Sequence, residues 1–289
     1  MRGSAESMTL LRPRSAPEAL EAFEKNPGAL PLAGGTDFMV LWNMGALNGK
    51  TVIDLSRVGQ WRGIEAGKMG VRVGSLVTHA ELQRHPVIRR EFPLLVEACS
   101  QIGAVAIQNR GTLGGNIANA SPAADTFPPL AVYEALVRAA SARERRAIPF
   151  LEVFAGPKKT RLRPGELIES IELPYVRPRP SRAYFRKVGA RAAQALSKTV
   201  AAGLLWLSPD RKTVAASRFA LGSVAPTIRR MKKAEGYLRG RAISAATIRR
   251  AAELAGEEIA PIDDVRSTAA YRFAVSKNLF KEFLQCRAR

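Results

Sequence analysis

Pro174-Tyr-Val-Arg-Pro-Arg-Pro180 places three prolines within seven residues. Proline fixes its own φ, lacks an N–H and pushes the residue before it toward extended backbone. No helix and no central strand runs through such a stretch. The segment is stiff and charged, so the chain is expected to divide here into two folded parts. Its 289 residues suffice for two domains of ordinary size.

Before the boundary, strand and helix signals alternate. Met8–Leu11 reads as a short strand. Ser15 caps a helix with Pro17 near its start and Ala19, Leu20 and Phe23 at helical spacing, until Asn26-Pro27-Gly28 stops it. Ala29–Leu32 and Thr51–Leu55 read as strands, with an apolar helical stretch at Thr36–Trp42 between them. This order predicts a small α/β unit. Gly63–Glu65 and Val71–Val73 read as a hairpin. Thr78 with Glu81 three residues on is a capping-box pattern. Pro86 interrupts that helix, and a second helical stretch follows through Leu94, Leu95, Val96 and Cys99. The segment Gln101–Ala124 is rich in Gly, Asn and Ser and reads as a structured loop. Ala135–Ala139 and Leu167–Leu173 read as strands.

After the boundary the order changes. Three strand-like runs, Ala183–Val188, Thr199–Leu207 and Thr213–Leu221, precede three helical runs at about 227–239, 244–258 and 268–284. Strands followed by helices predict an α+β domain, with the helices against one face of an antiparallel sheet.

Composition narrows the function classes. With 46% hydrophobic residues the chain can build a core. No apolar run approaches the roughly 20 residues that a spanning helix needs. Met1–Ala5 is short and polar, and Leu10-Leu11 meets Arg12, Pro13 and Arg14 at once, unlike a secretory signal. A cytoplasmic protein is expected. Cys99 and Cys286 are too few and too far apart for a disulfide framework or a zinc or iron–sulfur cage. His79 and His85 are the only histidines, and no His-Glu-x-x-His occurs, so no metal site is expected. Both cysteines read as small apolar fillers and both histidines as residues of a surface helix.

The charge is uneven. Residues 1–137 hold 13 basic and 12 acidic side chains, a net of +1, and residues 138–289 hold 32 and 13, a net of +19. The second half either presents a solvated basic face or meets something acidic. Its densest cluster, Arg229-Arg-Met-Lys-Lys233, lacks the interleaved aromatics that stack on bases, so no nucleic-acid partner is expected.

Two glycine clusters stand out, Ala33-Gly34-Gly35-Thr36-Asp37 and Gly111-Thr112-Leu113-Gly114-Gly115-Asn116. Adjacent glycines let backbone approach a ligand closely and turn N–H groups toward it, and the first cluster leads into a helix start that favours an anion. Two such loops suit the two phosphates of a dinucleotide; each pair alone would equally serve a tight turn. Neither cluster is a Walker A or a Rossmann fingerprint, so a dinucleotide would sit in another fold.

The stretch Gln108-Asn-Arg-Gly-Thr-Leu-Gly-Gly-Asn-Ile-Ala-Asn-Ala-Ser-Pro-Ala-Ala-Asp125 resembles the signature of the FAD-binding medium subunit of molybdenum hydroxylases, the family of the xanthine dehydrogenase flavin domain and the carbon monoxide dehydrogenase medium subunit. Ala33–Asp37 is similar to the family's other flavin loop. Gly156–Thr160, Arg163–Pro174, Lys187–Lys198 and Pro261–Tyr271 match in order, so the resemblance covers nearly the whole chain.

The resemblance implies an α+β fold. An FAD-binding region of the PCMH or vanillyl-alcohol-oxidase type, residues 1–176, would comprise two α/β subdomains at about 1–57 and 58–176. A C-terminal domain of antiparallel strands and helices would follow at 181–287. It also implies site residues. Pro31, Leu32, Ala33, Gly34, Gly35, Thr36, Asp37 and Phe38 would wrap the pyrophosphate and adenosine side. Thr112, Leu113, Gly114, Gly115 and Asn116 would form the second phosphate loop. Asp125 would hold a ribose hydroxyl or ring N–H, since a carboxylate repels phosphate. Ile102, Ile168 and Lys187 would line the flavin, with Ile102 standing where some members carry an aromatic. Asp37 would equally serve as a helix cap, and Lys187 as a surface lysine in a strand.

The implied function is electron transfer. A molybdenum cofactor in a large subunit oxidises substrate, [2Fe–2S] clusters in a small subunit relay the electrons, and FAD in this chain delivers them to NAD+, a quinone or oxygen. The flavin carries the chemistry, so no catalytic side chain is expected. A dimer of heterotrimers is the implied assembly. The lack of a cysteine quartet argues against the hydroxybenzoyl-CoA reductase type. The Lys187–Lys198 stretch is most similar to xanthine dehydrogenase flavin domains; a carbon monoxide or aldehyde dehydrogenase medium subunit and a stand-alone flavin-binding protein are the alternatives.

Overall fold

The computed structural model describes residues 5–191 and 194–285. Cys286 lies outside them.

The first unit is the expected strand–helix alternation. Thr51–Asp54 lies between Thr9–Leu11 and Leu30–Leu32, and both pairings are parallel. Parallel neighbours need a crossover, and the helix Ala16–Lys25 supplies one. Ser15 starts it by accepting the N–H of Glu18, with Pro17 in the first turn, where its missing N–H costs nothing. Ala16, Ala19 and Leu20 pack on Ile53, Leu55, Val58 and Trp61.

The second unit is a five-stranded antiparallel sheet in the order Ile64–Ala66, Gly70–Gly74, Leu167–Pro174, Leu136–Ala140, Arg145–Pro149. The Thr78–Glu81 capping box forms and opens the helix His79–Arg84. Pro86 and Pro93 then each begin a new short helix, Pro86–Glu91 and Pro93–Ser100. Here the structure departs from the expected loop at Gln101–Ala124, which contains the helices Val105–Gln108 and Leu113–Ala118. Both are too short to show periodicity, and the second is held by a Thr112 side-chain cap and by burial of Leu113 and Ile117. The edge strand Arg145–Pro149 carries two arginines and the helix Phe127–Val132 two prolines, so neither shows the usual sequence pattern.

In the C-terminal part, Arg182–Val188, Thr199–Leu207, Val214–Gly222 and Arg229–Arg230 pair antiparallel in chain order. The helices Lys232–Leu238, Ala245–Glu257 and Ala269–Gln285 cover one face. The other face is not open to water. Val200, Ala202, Leu204 and Trp206 join the core of the second unit, while Ala201 and Leu205 face the helices. Thr199–Leu207 is therefore buried on both sides, which explains its unbroken apolar run. At Gly203 a Cβ would stand 2.6 Å from Phe283 Cε2, so only glycine lets the last helix reach the sheet.

The basic cluster at 229–233 is split by the fold. Arg229, Lys232 and Lys233 are exposed, whereas Arg230 is buried. Its guanidinium binds both carboxylate oxygens of Glu235, at 2.7 and 2.8 Å, and donates to the carbonyl of Ala131. The expected helix at about 227–239 accordingly begins at Lys232, because Arg229 and Arg230 pair with Leu221 and Ala220.

Candidate functional site

A cleft of about 1080 Å³ runs between the first and second units, near the upper end of the usual size for small-molecule sites. Both glycine clusters reach its wall. Their meeting is tight: a Cβ on Gly34 would overlap the carbonyl oxygen of Arg110, and a Cβ on Gly114 would stand 2.5 Å from Ser75 Cβ. Gly35 has φ +81°, which side-chain-bearing residues rarely adopt.

The two clusters offer different chemistry. The N–H groups of Gly34, Gly35, Thr36 and Asp37 have no acceptor among the described residues. Those of the second cluster are engaged except that of Thr112. Gly111 donates to Ile107, Leu113 to Val77, Gly114 to Ser75, Gly115 to the Thr112 side chain and Asn116 to the Thr112 carbonyl. The first cluster therefore presents free donors to an anion, and the second presents a close-packed wall. Asp37 precedes the helix Phe38–Asn43 without a side-chain capping bond, so the cap alternative has no such bond to support it.

Of the expected site residues, Pro31, Leu32, Ala33, Gly34, Gly35, Thr36, Asp37, Phe38, Ile102, Thr112, Gly114, Gly115, Asn116 and Ile168 line the cleft. Leu113, Asp125 and Lys187 do not. Leu113 is buried in the core of the second unit. Asp125 and Lys187 form an ion pair behind the wall, where the second unit meets the C-terminal sheet: Lys187 Nζ lies 2.6 Å from Asp125 Oδ2 and 2.8 Å from the Gln101 carbonyl oxygen. Ser197 Oγ donates to Asp125 Oδ1 at 2.5 Å. Burial raises the Asp125 carboxyl above its usual range, opposed by Lys187 and the Ser197 bond. The alternative of a surface lysine is thus set aside, since the Lys187 side chain is 9% exposed. Asn116 Oδ1 accepts the hydroxyl of Thr126, the neighbour of Asp125 in sequence.

The cleft residues that sequence reasoning missed include Ser75 and His79. His79 was expected on a surface helix, yet it is buried. The first residue of a capped helix faces water or core according to what packs behind it, and here Cys99 does. Cys99 itself is buried, as a small filler would be. No group of three His, Cys, Asp or Glu among the described residues could hold a metal, and no described helix is long and apolar enough to cross a membrane.

Residues 6–176 match the family described as the FAD binding domain in molybdopterin dehydrogenase, and residues 183–286 match the CO dehydrogenase flavoprotein C-terminal domain. The chain belongs to the FAD-binding medium subunits of the molybdenum hydroxylase family. A medium subunit of this kind is a flavoprotein component of an oxidoreductase. This one is 28% identical to the glyceraldehyde dehydrogenase medium chain of Sulfolobus acidocaldarius, over 94% of this chain and 96% of that one. It is also 28% identical to a putative xanthine dehydrogenase FAD-binding subunit of Escherichia coli K12, over 92% and 91%. In structure it is similar to a carbon monoxide dehydrogenase from Hydrogenophaga pseudoflava, with TM-score 0.92 and 27% identity, covering 98% and 97% of the two chains. The cleft of this medium subunit fits such a cofactor: at Gly34 and Gly114 a Cβ would push apart the segments that build its wall, and unpaired N–H groups line one side.

Proposed function

We propose that this medium subunit binds one non-covalent FAD in the cleft and passes electrons from an iron–sulfur partner to a final acceptor, NAD+, a quinone or oxygen. The observation that carries the reading is the row of unpaired N–H groups from Gly34 to Asp37, set against the close-packed wall of the second glycine cluster. Residues 31–38 wrap the cofactor, and the backbone donors of Gly34 to Asp37 hold the phosphates, which needs no charged side chain. Thr112, Gly114, Gly115 and Asn116 shape the opposite wall. Ile102 and Ile168 give apolar surface to the ring systems. Asp125 and Lys187 act from behind the wall by fixing the carbonyl of Gln101 next to Ile102. When bound, FAD supplies the two-electron chemistry, and the chain binds it, orients it and tunes its surroundings.

The partners proposed are a large molybdenum-cofactor subunit and a small subunit carrying [2Fe–2S] clusters, arranged as a dimer of heterotrimers in the cytoplasm. Xanthine is the first candidate substrate of the whole enzyme, supported by the likeness of Lys187–Lys198 to xanthine dehydrogenase flavin domains. An aldehyde is the second, because the glyceraldehyde and xanthine relatives stand at the same 28% identity. Carbon monoxide is the third. Purification from the source cell tests all of this. Two co-purifying subunits with molybdenum and iron, and FAD released by acid precipitation, are the expected result. Flavin bleaching by xanthine, an aldehyde or carbon monoxide then selects the substrate. A yellow chain without partners would favour a stand-alone flavoprotein, and flavin retained on the denatured polypeptide would contradict non-covalent binding.

A further inference from the structure

His79 is the one histidine on the cleft wall, and it is 2% exposed. Three contacts fix it. Its backbone N–H donates to the Gly111 carbonyl at 3.0 Å. The Thr78–Glu81 capping box sets the path of the chain on either side of it. Its Nδ1 lies 3.6 Å from Cys99 Sγ. On the other edge of the ring, a Cβ on Gly111 would come within 3.2 Å of Cδ2 and 3.5 Å of Nε2, so glycine lets the second cluster lie against the imidazole. No residue among those described pairs with Nε2, and Nε2 is not among the fully buried unpaired atoms, so the small exposed part of the ring includes it.

We propose that His79 is a further positioning residue for the cofactor, with the Cys99 thiol bonded to Nδ1 and Nε2–H donating to an acceptor atom of bound FAD. The role rests on the reading of the cleft as the FAD site. Burial brings the His79 imidazole down to about 4, so it is neutral at physiological pH. Burial also raises the Cys99 thiol, which keeps its proton and can donate it. A neutral imidazole carries one proton; with Nδ1 accepting from sulfur, that proton sits on Nε2. Nε2–H has no protein acceptor and reaches the cleft, so a ligand that supplies an acceptor there completes its hydrogen bonding. A neutral donor also discriminates by geometry rather than by charge.

The test uses the full chain, stripped of flavin and titrated with FAD, with thermal melting of the stripped form as a control for folding. His79→Leu keeps the bulk and loses the donor. It should weaken FAD binding about tenfold, the worth of one such bond. His79→Gln carries an amide that reaches as far as Nε2 and should restore affinity to within about threefold of wild type. Cys99→Ala frees the tautomer and should weaken binding less than His79→Leu. The proposal is overturned if His79→Leu binds FAD as tightly as wild type, or if Leu and Gln weaken binding equally. It is overturned also if the loss follows the melting temperature of the stripped variants, since the ring would then act through packing alone. If the wild-type chain binds no FAD, the reading of the cleft itself falls, and this role with it.

Discussion

The ammonium of Lys187 stands 2.6 Å from Asp125 Oδ2, with both side chains under 10% exposed, in the seam between the second unit and the C-terminal sheet. The residues are 62 apart in the chain, and each comes from a different side of the proline-rich boundary. The pair is therefore both a tie between the two parts and a support for the cleft wall at Gln101.

Removing one partner of this pair leaves the other charge buried. Lys187→Met should destabilise the chain by about 3–5 kcal/mol, and Lys187→Met with Asp125→Asn by clearly less. The pH dependence has a definite sign. The folded Asp125 carboxyl is raised above 3.8, mainly by burial. A raised acid favours the protonated folded form, so its penalty is present at neutral pH and shrinks as pH falls through the folded value. The loss in Lys187→Met should therefore be largest near pH 7 and smaller toward about pH 4. Urea unfolding at several pH values measures it; a loss that grows as pH falls would contradict the account.

The glycines of the two clusters should respond for different reasons. Gly35→Val strains a backbone at φ +81° beside the free donors, at a cost of about 1–3 kcal/mol. Gly114 has no positive φ; its replacement by Val instead forces the segment away from Ser75. Both variants should lose FAD while remaining folded, read as the flavin-to-protein ratio after acid release beside a far-ultraviolet spectrum. Full occupancy in Gly35→Val would remove the case for the first cluster as the anion site.

Arg230 and Arg229 are neighbours with opposite fates. Arg230→Ala removes a guanidinium whose side chain is 4% exposed and strands the Glu235 carboxylate, so a loss of about 3–5 kcal/mol is expected. Arg229→Gln, at an exposed position, should change stability by no more than about 0.5 kcal/mol. Melting curves of the two variants should separate clearly, and equal curves would refute the structural role of the buried Arg230–Glu235 pair.

The net +19 after residue 137 leads to a kinetic expectation. If this half faces acidic surfaces of partner subunits, assembly should slow as salt rises, because exposed charges act within a Debye length of about 8 Å at physiological salt. Arg229→Gln with Lys232→Gln should slow it further without loss of folding. Assembly rates indifferent to both salt and these changes would assign the charge excess another cause.

The sequence alone pointed to a division at 174–180, and it determined the alternation before that stretch and the strands-then-helices order after it. These rest on proline stereochemistry and on residue periodicity, which act over a few neighbouring positions. It also marked both glycine clusters, because close backbone approach excludes most other residues. Tertiary structure alone decided which cluster keeps free N–H groups, since that depends on Val77 and Ser75 accepting from Leu113 and Gly114 more than thirty positions away. It likewise decided that Arg230 is buried while Arg229 is exposed, that Lys187 meets Asp125, and that His79 turns to Cys99 rather than to water. Each is a pairing across long stretches of chain, and the burial and charge of a side chain are set by what folds against it rather than by its neighbours in sequence.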